Sequence, residues 1–268
     1  MTNYPTWEVK LSVNGPIKTQ DTSPLRIFKG FQEDDPFYSD VKIRDTQYGV
    51  LISVTAFASN GDLAHQAALL FVGKMLDSLS LSVRQPLFLS FTHEHVNQKY
   101  QDDVRRIIKR DEWIAAFKDA RLYNEQEPTY LRALGWYRKG LYTNDPYDKF
   151  LAYWNSIEIT ATKYHPESDE AKEGSKNQIW ECFKKLWGEC ENWLIIHGND
   201  RWIKDNYEIR KDIAHGLTTI TVEGVIKILT ALDEVEQVAY KFLADWRGQL
   251  QISDHLNSLI DHIGIESS

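Results

Sequence analysis

Cysteine is nearly missing from these 268 residues: Cys182 and Cys190 are the only two, and no Cys/His spacing suits zinc. Two thiols cannot build a disulfide framework, so the expectation is a pair of free, buried thiols in a reducing compartment. Basic charge is also short, with 31 Lys and Arg against 39 Asp and Glu and a formal net charge of −8. A surface of that sign excludes a constitutive DNA coat or a general RNA chaperone, which must offset phosphate charge, but it leaves room for one local basic patch. No apolar stretch approaches 18 uninterrupted residues, and Met1 to Val9 lacks a basic start followed by an apolar run. These absences point to a soluble, cytoplasmic protein with no membrane partner. A Gly-rich phosphate loop, a Gly-x-Ser-x-Gly elbow and a dinucleotide fingerprint are absent too. No cofactor and no metal is therefore expected.

What is present is enough apolar material for a sizeable core: 42% hydrophobic residues, with nine Trp among a 12% aromatic fraction, argue for a folded chain nearly throughout. Residues 1–120 read as an α+β domain. Val41–Asp45 and Val50–Ala56 flank Thr46-Gln47-Tyr48-Gly49, which has the composition of a hairpin turn. After Asn60-Gly61-Asp62, the spacing of Leu63, Ala67, Leu70, Phe71, Met75, Leu76 and Leu79 predicts one long helix with that face on the hairpin. Pro86–Phe91 adds a short apolar run. The charged stretch Lys99–Arg110 reads as a helical connection between domains.

Residues 121–268 read as an all-α bundle, with helices over Thr129–Tyr142, Pro146–Tyr164, Lys176–Ile196 and Val222–Trp246, and a shorter one ending at His215. Asp145-Pro146 is a start signal, because Asp caps free amides and Pro lacks the amide that would go unpaired. Val225, Ile228, Leu232, Val235, Ala239, Phe242 and Trp246 mark the buried stripe of the last helix.

One constellation carries chemistry. In Tyr207-Glu-Ile-Arg-Lys-Asp-Ile-Ala-His215-Gly216, an Arg and a His stand five positions apart at the end of a helix that Gly216 is suited to terminate. Five residues turn an ideal helix by about 500°, leaving the two side chains roughly 140° apart. They converge on one ligand only if the helix end distorts or a second chain completes the site, which points to a homodimer.

The run Arg210-Lys-Asp-Ile-Ala-His215-Gly216 resembles the Arg-x4-6-His signature of the HEPN superfamily. Leu131-Arg-Ala-Leu-Gly-Trp-Tyr-Arg-Lys-Gly-Leu141, with Asp145-Pro-Tyr-Asp-Lys-Phe-Leu-Ala-Tyr-Trp154, is similar to the first two helices of the MauJ-like group; the likeness spans about Glu125 to Trp246. The resemblance implies a HEPN-type bundle acting as a metal-independent endoribonuclease on RNA, as a dimer, in toxin, stress or antiviral settings. His215 would move protons and Arg210 would hold the phosphate as catalytic residues. Family members commonly place Asn, Asp or His after the Arg, whereas Lys211 stands here with Asp212 next. A related toxin group, modified by an adenylylating antitoxin, carries Tyr two positions after the His; here that position is Leu217. HEPN domains also serve as noncatalytic dimerisation modules, and that is the alternative.

Spacing alone singles out further residues. Leu131, Leu134, Arg138 and Leu141 form one stripe, and Leu151, Trp154, Glu158 and Ala161 another, each with one charge on an otherwise apolar face. Arg138 and Glu158 are thus candidates for an ion pair, or Glu158 for a carboxylate that orients His215. Arg105, Arg106, Lys109 and Arg110 form a basic cluster, read as a solvated helix face or as an RNA-backbone contact. His93-Glu94-His95 puts two imidazoles on one side of a strand, but no third ligand accompanies them.

Overall fold

A computed structural model describes residues 5–28, 38–90, 105–215 and 222–254. The chain divides into two compact units, one of residues 1–79, 87–128 and 251–268, the other of residues 80–86 and 129–250. The order is a strand-rich region followed by helices.

The first unit holds strands β1 (Thr6–Asn14), β2 (Ile17–Thr19), β3 (Leu25–Phe28), β4 (Tyr38–Thr46) and β5 (Gly49–Phe57). Helix α1 (Gly61–Val83) follows, then β6 (Phe88–Leu89), β7 (Arg106–Ile108) and α2 (Arg110–Gln126). Five strands make an antiparallel sheet in the order β3-β4-β5-β1-β6. Alternation decides its faces: Leu11, Val13, Val41, Ile43, Val50, Ile52 and Val54 are buried, while Lys10, Lys42 and Arg44 point outward. The expected hairpin forms with Thr46 opposite Gly49. Gly49 has φ +148°, and a Cβ there would lie 2.1 Å from the Val13 carbonyl oxygen, so both the backbone angle and the approach of β1 demand glycine.

Helix α1 departs from the expected face. Leu63 is 47% and Leu70 65% exposed, and the core is met by Ala64, Ala68, Val72, Met75, Leu76 and Leu79. The helix is apolar on much of its circumference, and small side chains take the side of close approach, which pushes two leucines outward. By length and composition α1 could cross a membrane, yet half of its apolar window is buried inside the protein, as in a core helix.

The helical connection expected over Lys99–Arg110 is also corrected. Residues 99–104 lie outside the described residues, but Arg106–Ile108 is a strand, paired in parallel with β2, and α2 begins only at Arg110. Tertiary hydrogen bonding wins over local pattern here. The Arg105 guanidinium is buried; its Nε and an Nη donate to the Ile17 carbonyl at 3.0 and 2.8 Å, and the Nη donates to the Gly49 carbonyl at 2.8 Å. Helix α2 then starts with Glu112 accepting from the Lys109 amide at 2.9 Å.

The second unit consists of α3 (Pro128–Tyr142), α4 (Pro146–Tyr164), α5 (Ser175–Trp187), α6 (Trp202–Ala214) and α7 (Val222–Arg247), with single 3-10 turns at Glu170–Glu173 and Cys190–Asn192. Asp145 Oδ1 accepts from the amides of Tyr147 and Asp148 at 2.9 Å, and Pro146 opens α4 as expected. Along α7, Ile228, Leu232, Val235, Ala239, Phe242 and Trp246 are buried. The expected helix Lys176–Ile196 ends early. Gly188, at φ +78°, stops it after Trp187, and Trp193 folds back so that its indole donates to the Gly188 carbonyl at 2.9 Å and packs edge-on against Phe183. Burial of those two rings favours the break over a continued helix. Both cysteines are free and buried, and burial pushes the Cys182 thiol up to about 12, which keeps it protonated and inert.

Candidate functional site

Helix α6 owes its orientation to Trp202, Ile203, Asn206 and Ile209, which are buried. Trp202 contacts the Trp154 ring of α4 at 5.9 Å, and its indole donates to Glu234 of α7 at 2.5 Å. Arg210 lies two turns beyond Trp202 on a neighbouring face, at the edge of the seam between α6 and α4. There it meets Glu158: Arg210 Nε stands 3.3 Å from Glu158 Oε2, with side-chain exposures of 29% and 17%.

The contact is a charge pair and not an aligned hydrogen bond, since the Arg210 Nε is buried with no acceptor in line. It engages the inner edge of the guanidinium. Among the described residues, nothing accepts from the two terminal nitrogens, and that outer edge is the one shaped for a bidentate grip on a phosphate.

His215 caps the C-terminus of α6 with φ −92° and ψ 2°, so the chain is leaving the helix there. Its amide donates to the Lys211 carbonyl at 3.0 Å, its side chain is exposed, and its ring has no partner among the described residues. Gly216 and Leu217 lie outside the described residues. Arg210 turned to α4 and His215 turned to solvent match the off-face geometry expected of positions five apart.

The supporting residues divide. Lys211 Nζ reaches Glu208 Oε2 at 2.5 Å, one turn earlier on the surface; this hydrogen bond holds the Glu208 carboxyl below its ordinary range and the Lys211 ammonium above its own. The Lys211 charge is thus spent on Glu208, a partner readable at i−3 but not anticipated. Asp212 is half-buried beside it. Glu158, singled out from the α4 stripe, stands at the motif, where Arg210 faces it. The expected Arg138–Glu158 ion pair does not form: the packing of α6 on α4 brings Arg210 to Glu158, while Arg138, half-buried on α3, has its guanidinium carbon 5.8 Å from the Tyr142 ring centroid.

The basic cluster is placed in the first unit and spread over several tasks. Arg105 is buried on backbone carbonyls; Arg106 pairs with Glu112 at 2.6 Å; Lys109 precedes α2; and Arg110 donates to the carbonyls of Ser23 and Pro24 at 3.2 and 3.1 Å. The solvated helix face read from the sequence does not form, because these residues straddle a strand and a helix start. His93, Glu94 and His95 lie outside the described residues, and no group of metal-ligating side chains is found among the described ones.

Two further groups on α4 and α6 are not among the site residues expected from the sequence, although Trp154 stands in the α4 stripe. Trp154 Nε1 and Asn206 Oδ1 are buried without hydrogen-bond partners, although the Asn206 amide nitrogen donates to the Trp202 carbonyl at 2.9 Å. Their signal was only the one-turn spacing Trp154/Glu158 and Asn206/Arg210. No protein-family model, curated protein or solved structure matches this chain.

Proposed function

We propose that the helical unit is a HEPN-type module that cleaves RNA without a metal, working as a homodimer in which Arg210 and His215 of two copies meet at one cleft. The observation that carries this is the state of the motif. Arg210 is paired with Glu158 through Nε while its terminal nitrogens have no acceptor among the described residues, and His215 is exposed with its ring unengaged by those residues.

The chemistry suits those groups. The RNA 2′-oxygen attacks phosphorus, its proton passes to a base, and the P–O5′ bond breaks as an acid returns a proton to the 5′-oxygen; the products are a 2′,3′-cyclic phosphate and a free 5′-hydroxyl. An imidazole exchanges protons near neutrality, and a fixed guanidinium stabilises the crowded phosphate. Anchoring by Glu158 keeps that cation in place before substrate arrives, which lowers the cost of organising it.

A second reading, a noncatalytic interaction module, draws on local charge. Arg210 and Lys211 face three carboxylates in Glu158, Glu208 and Asp212, so the motif's surroundings are weakly acidic before His215 is counted.

The shared cleft is tested by subunit complementation. Arg210→Ala and His215→Ala chains should each be strongly impaired alone, whereas co-refolding yields mixed dimers that keep one Arg210 and one His215 at the shared cleft. RNA cleavage should return to at most about half of the wild-type level if half the dimers are mixed and one Arg/His pair serves the single cleft. No recovery from a sample shown to contain mixed dimers would mean that each chain uses its own pair.

A further inference from the structure

The outward face of the antiparallel sheet carries charge that the packing of the first unit does not use. Register places Lys10 and Lys42 on either side of Ser53, and Ser12 and Arg44 on either side of Leu51. Lys10, Lys42 and Arg44 are exposed on a chain whose net charge is −8. Lys10 stands 3.2 Å from Glu8, whereas Lys42 and Arg44 have no ionic or hydrogen-bond partner among the described residues. Thr55 and Phe57 continue the same face of β5, and Phe57 is 43% exposed. Glu8 and Asp40 are the acids there, and Asp40 lies opposite Arg26 in the β3–β4 pairing.

We infer that this sheet face is a docking surface for the backbone of single-stranded RNA, with Lys42 and Arg44 as its two principal phosphate contacts. The inference rests on the RNA reading of the helical unit but uses none of its residues. Alternation on one strand sets Lys42 and Arg44 about 6.8 Å apart on the same side, so both can reach phosphates of one strand lying along β4. Lys10 contributes a third, partly neutralised cation about 9.6 Å across the sheet. Charge attracts any polyanion, but Ser12 and Ser53 stand among the cations with hydroxyls suited to phosphate oxygens, and the ring of Phe57, 43% exposed, adds aromatic surface to the same face. An acidic polypeptide would have no use for the ring. The unpaired state of the two cations matters, because a phosphate then displaces water and counterions and not a carboxylate.

The test measures binding of labelled oligouridylate to the full-length His215→Ala chain across a salt series, so cleavage plays no part in it. Replacing Lys42 and Arg44 together by Gln should flatten the log–log salt dependence by about 1.4, which corresponds to on the order of 25-fold weaker binding at 0.1 M salt. The charge-retaining pair Lys42→Arg/Arg44→Lys should bind like its parent, and thermal melts should coincide for all three, which separates lost contacts from lost fold. Equal salt slopes for the parent and the Gln variant would overturn the inference, whether or not the wild-type protein cuts RNA. Binding of polyglutamate in place of oligouridylate would overturn it in favour of an acidic protein partner.

Discussion

The His215→Ala protein is expected to bind RNA nearly as tightly as wild type and to cleave it about 10²–10⁴-fold more slowly, the usual cost of losing a positioned acid or base. The His215 side chain is exposed at the end of α6 and makes no hydrogen bond, ion pair or ring contact among the described residues, so its removal should leave the bundle intact. Arg210→Ala should behave differently. It removes the cation that the proposed mechanism sets against the phosphate and leaves the Glu158 carboxylate, only 17% exposed, without its counter-charge. Affinity and rate should both fall, and the melting temperature should drop as well. Kinetics, equilibrium binding and thermal melts on the two variants check this. Equal losses of rate and affinity in His215→Ala would place His215 in binding and not in proton transfer.

Arg105→Ala should destabilise the first unit by about 3 kcal/mol. Its buried guanidinium makes charge-assisted hydrogen bonds worth about 1.5–3 kcal/mol, and their loss leaves the Ile17 and Gly49 carbonyls short of donors. Those carbonyls lie beside the β1–β5 pairing and the β2–β7 pair, so the damage should spread through the sheet. Arg106→Ala makes the contrast, since it removes an exposed pair with Glu112 of the kind worth about 0–1 kcal/mol. Chemical denaturation of both variants decides between a structural Arg105 and one facing solvent. A stable Arg105→Ala protein with weakened RNA affinity would instead support the backbone-contact reading of the cluster.

The contrast between Arg105 and Arg106 also explains what was legible in the sequence. Local signals carried the Thr46–Gly49 hairpin, the Asp145-Pro146 start and the whole span Pro146–Tyr164, because caps, turns and helical periodicity act within a few residues. The N-terminal strand β1 carries an equally local signal, with Trp7, Val9, Leu11 and Val13 alternating with Glu8, Lys10 and Ser12. Arg105–Ile108 could not be read locally at all. Its strand exists because β2 lies alongside and because carbonyls 88 and 56 positions away accept from one side chain. The same holds for α1, whose apolar residues were too numerous for periodicity to choose the buried side, and for α5, where Gly188 was passed over in favour of the run beyond it.

At the candidate site the stripe along α4 points to Glu158 as a charge paired with Arg138 or orienting His215, and the motif points to Arg210. That Glu158 and Arg210 would meet follows from the packing of α6 on α4, which no spacing within either helix encodes. The engagement of Lys211 by Glu208 is local and was readable at three residues.

The central claim is that Arg210 and His215 cut RNA without a metal. The measurement that tests it most directly is incubation of purified wild-type protein with end-labelled RNA in excess EDTA, with His215→Ala alongside and the new ends identified by mass. The account predicts cleavage by wild type alone, leaving 2′,3′-cyclic phosphate and 5′-hydroxyl ends. Cleavage that EDTA abolishes, or identical behaviour of wild type and His215→Ala across a range of RNAs, would contradict it.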